Sequence, residues 1–381
     1  MYVLLMNIYE SLGVRKVINA CGTVTKLGGT LMAPEVLEAM REAAEAYVEL
    51  PNLYSKASEK IAELLGVEAV CITSGAAAGI AISAAACMTR GDPLRALQLP
   101  DTTGMPYEVV MFKSHRTLYD QALTIAGAKI REVDAATADE MEVLEDTLHA
   151  NAAMFFYVAA LEHMPGSLPL SDISVVMKKH QIPVVVDAAA ELPPVSNITH
   201  YIDQGADLVI FSGGKEIRGP QSSGLILGRK EWVDACNANN SPNFGVGRCM
   251  KLDKETIAGI TKAVELFIRR DYREEIKRWE SMALRLFKSL APIPCIELRE
   301  GRPEASGVRP AGIPRVFIHP RGLSAAELQY RLIKSDPAVH VDVQGDEIVV
   351  NPQCLNEFEV GIVVRRIKAV LCEALDSLPV R

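Results

Sequence analysis

The chain has 381 residues with 49% hydrophobic and 23% charged side chains and a formal net charge of −8. That length suffices for two domains, and the composition is globular rather than disordered or fibrous. The negative balance argues against a broad nucleic-acid footprint, which needs clustered cations, but leaves room for a local cationic pocket binding a small anion.

Taken in order, Met1 to Met6 is apolar but short, lacks a basic leader and runs into Asn7 and Glu10, so it is not read as a signal peptide. The first 55 residues are expected to cross over to a smaller domain or to wrap a partner subunit. Ser58 to Leu65 has the spacing of a helix stopped by Gly66, and Ala69 to Thr73 is a short apolar strand. Gly75 to Met88 reads as an alanine-rich helix, too short to cross a membrane. Strand Val109–Phe112, a helix around Leu118 to Ala126, strand Lys129–Val133, helix Asp139–His149 and strand Ala153–Val158 follow. Ser171 to His180 reads as a helix with Ser171 as its N-cap. Ile182 to Asp187 is a strand, Ile198 to Gln204 a helix, and Ala206 to Ser212 a strand. Ser223 to Gly228 returns antiparallel after a short turn. Lys254 to Leu290 is one long helical pattern with a break near Asp271. A Pro/Gly-rich loop covers Glu300 to Pro314. Strand Arg315–His319, helix Ala325–Ile333, strands Val339–Val343 and Glu347–Val350, and helix Glu357–Leu375 complete the chain.

The alternation of strands and helices from 56 to 265 predicts an α/β fold with a mostly parallel central sheet, followed over 266–381 by a long helix and a smaller C-terminal α+β domain. Ligands of such sheets bind at the carboxyl ends of the strands. The eight cysteines contain no C-x-x-C pair and several sit in apolar runs, so they read as buried hydrophobes of a reducing compartment. Neither disulfides nor a metal site is expected, and the protein is expected in the cytoplasm, off the membrane.

Two strand ends carry chemistry. Ile182 to Ala190 ends its apolar run in Asp187, and Ala206 to Gly214 ends in a small-residue turn presenting Lys215. Adjacent parallel strands would put this carboxylate and this amine on one sheet edge. Pyridoxal 5'-phosphate (PLP) needs such a pair, a lysine for the Schiff base and an acid at the pyridine nitrogen. Ala188, Ala189 and Ala190 leave room for a flat ring, although Asp187 could equally be a helix cap. Thr73-Ser74-Gly75-Ala76-Ala77-Ala78-Gly79 lies between a strand and a helix; it is either a phosphate cup at a helix N-terminus or a tight helix–sheet contact. His115 follows another strand and either stacks on the ring or serves structure. Ser212 either donates to the phosphate or only shapes the turn. Arg248, flanked by Gly245 and Gly247, is an anion-site candidate or an ordinary surface arginine.

The segments Asp207 to Lys215 and Gly219-Pro220-Gln221-Ser222-Ser223-Gly224 resemble the PLP-lysine segment of the L-seryl-tRNA selenium transferase (selenocysteine synthase) family, part of the fold-type I, aspartate aminotransferase-like enzymes. Ile72 to Gly79, Leu99 to Met105 and Gly247 to Glu255 are more similar to its short, tRNA-independent relatives, the D-glucosaminate-6-phosphate ammonia-lyase-like subgroup. The resemblance covers roughly residues 10 to 265. It implies Lys215 as the Schiff-base lysine, Asp187 at the pyridine nitrogen, His115 on the ring face, and Ser74, Gly75, Ala76 and Ser212 at the phosphate. It further implies Arg248 and Lys251 at a substrate anion, Arg315 at a substrate carboxylate, and a homodimer or larger homo-oligomer. The tRNA-using members share a longer chain with an added N-terminal domain; this acidic chain begins almost at the catalytic body, so tRNA is not the expected substrate. The expected activity is α,β-elimination of a hydroxylated amino acid, D-glucosaminate 6-phosphate among the candidates, to a 2-keto-3-deoxy acid and ammonia. Racemisation, aldol cleavage, C–S lysis, selenium transfer to seryl-tRNA and a non-catalytic PLP fold are the alternatives.

Overall fold

The computed structural model describes residues 7–134, 140–302, 310 and 312–376. Two compact units divide the chain, one comprising Met1–Leu27, Asp271–Glu304 and Ala311–Arg381, the other Gly28–Arg270 and Ala305–Pro310. The first strand, β1 (Val17–Asn19), belongs to the former.

The larger unit is built on a seven-stranded sheet of β2 (Ala69–Thr73), β3 (Glu108–Phe112), β4 (Lys129–Val133), β5 (Ala152–Val158), β6 (Val184–Asp187), β7 (Leu208–Ser212) and β8 (Gly224–Gly228). Its order is β2-β8-β7-β6-β5-β3-β4. Neighbours from β7 through β4 are parallel, and β8 alone runs antiparallel, against both β7 and β2. All seven residues of β5 are buried, as a strand covered on both faces requires. The helix Ala76–Thr89 is buried along nearly its whole length. Its alanines allow that: at Gly79 a Cβ would already touch Ile210 Cγ2 at 3.0 Å and Ile226 Cγ1 at 3.4 Å.

Several boundaries follow local chemistry. Gly66 ends the helix Leu50–Leu65 in the left-handed region at φ 66°, where glycine carries no Cβ penalty. The long pattern from Lys254 is two helices, Lys254–Arg269 and Tyr272–Leu290, because Asp271 caps the second by accepting from the N–H groups of Arg273 and Glu274. Ser171 is not an N-cap. The helix runs Leu170–His180 behind Pro169, since buried Leu170 already belongs to its inner face, and the Ser171 hydroxyl meets Asp172 Oδ1 instead. The helix Lys230–Asn239 was not read from the sequence; its polar stretch hides only a narrow apolar face of Val233, Ala235 and Cys236.

The smaller unit has a four-stranded antiparallel sheet in the order β12-β13-β10-β9, with β9 (Ile296–Gly301), β10 (Arg315–Pro320), β12 (Asp342–Gln344) and β13 (Glu347–Val350). A separate parallel pair joins β1 to β11 (Ala338–His340). The predicted strand Val339–Val343 is thus divided at Val341 between two sheets. The predicted loop from Glu300 falls mostly outside the described residues, and its first residues are the end of β9. That strand escaped the pattern because Glu297, Arg299 and Glu300 interrupt its apolar positions. Trp279, Leu286, Val316, Ile318, Leu328, Ile348 and Ile367 form this unit's core.

Among the described residues no helix is long and apolar enough to cross a membrane. All eight thiols are free.

Candidate active site

The register of the large sheet brings the chemistry-bearing strand ends together. Asp187, the last residue of β6, pairs with Val158 of β5 on one side and Ile210 of β7 on the other. Ser212 ends β7 opposite Gly224, and Gly224 also faces Thr73 at the end of β2. The carboxyl edge therefore carries Ser74–Ala76, Ser212, Lys215, Asp187 and Ala189 in one row of neighbouring strands. Each of these residues keeps part of its surface open.

Gly75 adopts φ 114° and leads into the helix Ala76–Thr89, whose first turn has no side-chain cap. Its amides and the positive end of the helix dipole form an anion cradle. Glycine at 224 makes this cradle possible: a Cβ there would sit 2.6 Å from Gly75 C and 2.9 Å from Ala76 N.

Asp187 Oδ1 accepts from the Ala189 N–H at 3.0 Å. Burial pushes its carboxyl above the usual range, opposed by the Ala189 hydrogen bond and the charge of Lys215. Burial in turn pushes the Lys215 ammonium below the usual lysine value, opposed by Asp187 and Glu191. The two groups are thus electrostatically coupled in a poorly solvated edge. A cationic ring N–H would favour the charged form of Asp187, and an amine already inclined to lose its proton is suited to nucleophilic and base chemistry. Anion cradle, poorly solvated carboxylate and depressed lysine are the three attachments that PLP requires, so the residues fit that group.

His115 differs from its neighbours on this edge. It is 0% exposed. Its Nδ1 accepts from the Val158 N–H at 3.2 Å and its Nε2 lies 2.9 Å from Ser167 Oγ. Phe112 and Tyr157 contact it edge-on, with centroids 5.3 and 4.8 Å away. With Nδ1 accepting, the proton sits on Nε2, and burial pushes the ring pKa down to about 4. A cofactor ring stacked on His115 would need these contacts to open.

Arg248 and Lys251 are exposed on and just after the short turn Arg248–Met250 in the larger unit. Arg315 lies in the smaller unit on β10, 1% exposed, where burial pushes its guanidinium down to about 10 against the charge of Asp342. Glu191 was missed by sequence reasoning. It is buried four residues past Asp187, and its charge acts on Lys215; an acid closing the Ala188–Ala190 turn was its only signal. Among the described residues no cluster of three His, Cys, Asp or Glu side chains could hold a metal.

Fold and site together define a PLP-dependent enzyme of fold type I. The family model described as SelA, L-seryl-tRNA selenium transferase, matches residues 119–289. The D-glucosaminate-6-phosphate ammonia lyase of Salmonella typhimurium is 32% identical over 97% of this chain and 99% of its own. A 5'-C-glycyluridine monooxygenase-decarboxylase of a Streptomyces species is 31% identical over 96% of this chain and 92% of its own. A solved structure of D-glucosaminate-6-phosphate ammonia-lyase superposes with a TM-score of 0.84 at 32% identity, covering 98% of this chain and 100% of that one. The chain belongs to this family of selenium transferase-like PLP enzymes, in the subgroup of the D-glucosaminate-6-phosphate ammonia lyase.

Proposed function

We propose that the protein is a lyase that removes a β-hydroxyl and then the amino group from a phosphorylated hydroxy-amino acid, D-glucosaminate 6-phosphate or a close analogue, yielding a 2-keto-3-deoxy acid and ammonia. The observation carrying this reading is the coupled Asp187–Lys215 pair beside the Gly75–Ala76 cradle. The full-length likeness to the Salmonella lyase supports it.

Bound PLP supplies an electron sink for the electrons left when a Cα proton departs. Lys215 Nζ would first hold the cofactor and then, freed by the substrate amine, take the Cα proton. Its burial favours the neutral base this demands. The Asp187 carboxylate would keep the proton on the pyridine nitrogen, which maintains the sink. The amides of Gly75 and Ala76 with the Ser74 and Ser212 hydroxyls would hold the cofactor phosphate, and Ala189 would lie against the ring. His115 would take the ring face if its packing opens. The exposed cations Arg248 and Lys251 would bind the substrate phosphate, and Arg315 its carboxylate. A homodimer or larger homo-oligomer and a cytoplasmic location belong to the same proposal.

The test is purified protein with PLP and D-glucosaminate 6-phosphate, followed for ammonia, keto acid, dissolved oxygen and carbon dioxide. Stoichiometric ammonia and keto acid without oxygen uptake is the expected result. Oxygen consumption with release of carbon dioxide would move the protein toward the chemistry named for the Streptomyces relative. An absence of turnover across phosphorylated hydroxy-amino acids would overturn the proposal.

A further inference from the structure

We propose that Thr30 and Arg270 are positioning residues for Lys215, fixing the backbone of the lysine turn from two of the places where the chain passes between its compact units. This rests on the reading of Lys215 as the catalytic lysine.

These two passages, of the four that the division makes, fall at Leu27–Gly28 and Arg270–Asp271. On the larger unit's side, both end on the turn that presents Lys215. The Thr30 N–H donates to the Gly214 carbonyl at 3.1 Å. The Thr30 hydroxyl lies 2.9 Å from the Lys215 carbonyl and 3.1 Å from that of Gly214, and with one hydrogen it serves one of them at a time. Gly29 is at φ +73°, and a Cβ on it would come within 2.4 Å of Gly214 O, so only glycine lets the segment lie this close. From the other passage, Arg270 Nη1 donates to the Glu216 carbonyl and to Glu216 Oε1, each at 2.9 Å. Glu216 is 1% exposed and Arg218 Nη2 sits 3.3 Å from the same oxygen. The carbonyls of Gly214, Lys215 and Glu216, three in succession, are therefore held by residues far away in sequence.

This matters because lysine is a flexible four-carbon arm, and a base must come within hydrogen-bond reach of the proton it takes. The turn has internal bonds of its own, Arg218 N–H to Lys215 O at 2.9 Å and Gly219 N–H to Gly213 O at 2.8 Å. Those fix its shape. Thr30 and Arg270 fix where that shape sits, and so where the arm is rooted.

The experiment compares full-length wild type, Thr30→Val, Thr30→Ser, Arg270→Gln, Arg270→Lys and Lys215→Ala. Cofactor-stripped protein is given PLP and borohydride over a range of pH, and the pyridoxyl mass fixed on Lys215 is quantified by peptide mass spectrometry. kcat and KM for D-glucosaminate 6-phosphate and the melting temperature are measured alongside. Thr30→Val removes the hydroxyl donor at nearly constant shape. It is expected to lower kcat about tenfold at unchanged KM, the effect of a modest misplacement of a reacting group. It should also move the labelling midpoint to higher pH, because a loosened lysine gains water and its pKa climbs back. Thr30→Ser should recover most of both effects. Wild-type labelling and kcat in Thr30→Val and Arg270→Gln would overturn the positioning role, as would a loss that Thr30→Ser does not recover. Should Thr30→Val fail to fold, Arg270→Gln against Arg270→Lys decides on the same readouts. A wild type that takes no label on Lys215 overturns the lysine assignment itself, and the positioning role with it.

Discussion

Two stretches of one sheet edge, each at the carboxyl ends of parallel strands, have opposite surroundings. At β6 and β7 the edge is partly open, and burial pushes its two charged groups, Asp187 and Lys215, away from their ordinary protonation while the charge of each opposes the shift of the other. At β3 and β5 the edge is sealed: His115 is closed in by Phe112, Tyr157, Ser167 and the Val158 amide. Topology makes both positions eligible for catalysis, but openness and available protons separate them. The open stretch can exchange a proton with a ligand, whereas the sealed one holds a neutral imidazole whose hydrogen-bonding capacity is used inside the fold.

Breaking the open stretch should have the largest effect. Lys215→Ala is expected to lower turnover by at least about a thousandfold, since it removes the proposed covalent anchor and base together; steady-state ammonia release measures it. Asp187→Asn should follow, with kcat down on the order of a hundredfold and PLP still retained by the cradle, because the ring nitrogen loses its counter-charge. Cofactor content and kcat measured together separate these effects.

The sealed stretch should show itself in stability. The His115 pKa is lowered from 6.5 to about 4 in the folded protein. Between those values the unfolded chain binds the extra proton, so the stability His115 contributes is present above pH 6.5 and is lost as pH falls toward 4. The full loss is on the order of 3 kcal/mol. The denaturant midpoint should fall for wild type as pH is lowered across this range and fall less for His115→Gln. If His115→Gln instead costs as much kcat as Asp187→Asn, the edge opens around His115 during the reaction and the contrast between the two stretches fails.

Smaller effects sharpen the open stretch. Arg248→Ala and Lys251→Ala should each raise KM for a phosphorylated substrate by about tenfold with little change in kcat, as loss of uniform binding does. They should leave an unphosphorylated analogue indifferent. Glu191→Gln removes a carboxylate that raises the Lys215 pKa, so the acid limb of the kcat/KM profile should move to lower pH by a fraction of a unit.

The same contrast explains what could be read from the sequence. The alternation of apolar runs and amphipathic stretches, with Asp187 and Lys215 closing two of the runs, was enough to predict a parallel sheet and to place both residues on its edge. Strand register then adds what no spacing contains, that Asp187 has β7 as its immediate neighbour and that Ser212 and Thr73 meet across Gly224. The enclosure of His115 was not legible, because Ser167 and Tyr157 reach it from elsewhere in the chain. Glu191 and Thr30 escaped for a related reason: each acts on Lys215 through proximity, and beyond the place of Glu191 after Ala188–Ala190 no local pattern marks either. The division of Val339–Val343 between two sheets likewise depends on the partners β1 and β13, which a local pattern does not name.

The most direct measurement is borohydride trapping of wild-type protein with PLP, followed by digestion and peptide mass spectrometry. A pyridoxyl mass confined to the peptide carrying Lys215, and missing from Lys215→Ala, is the expected result. A mass on another lysine, or none on wild type, would contradict the assignment of the open β6–β7 edge as the cofactor site.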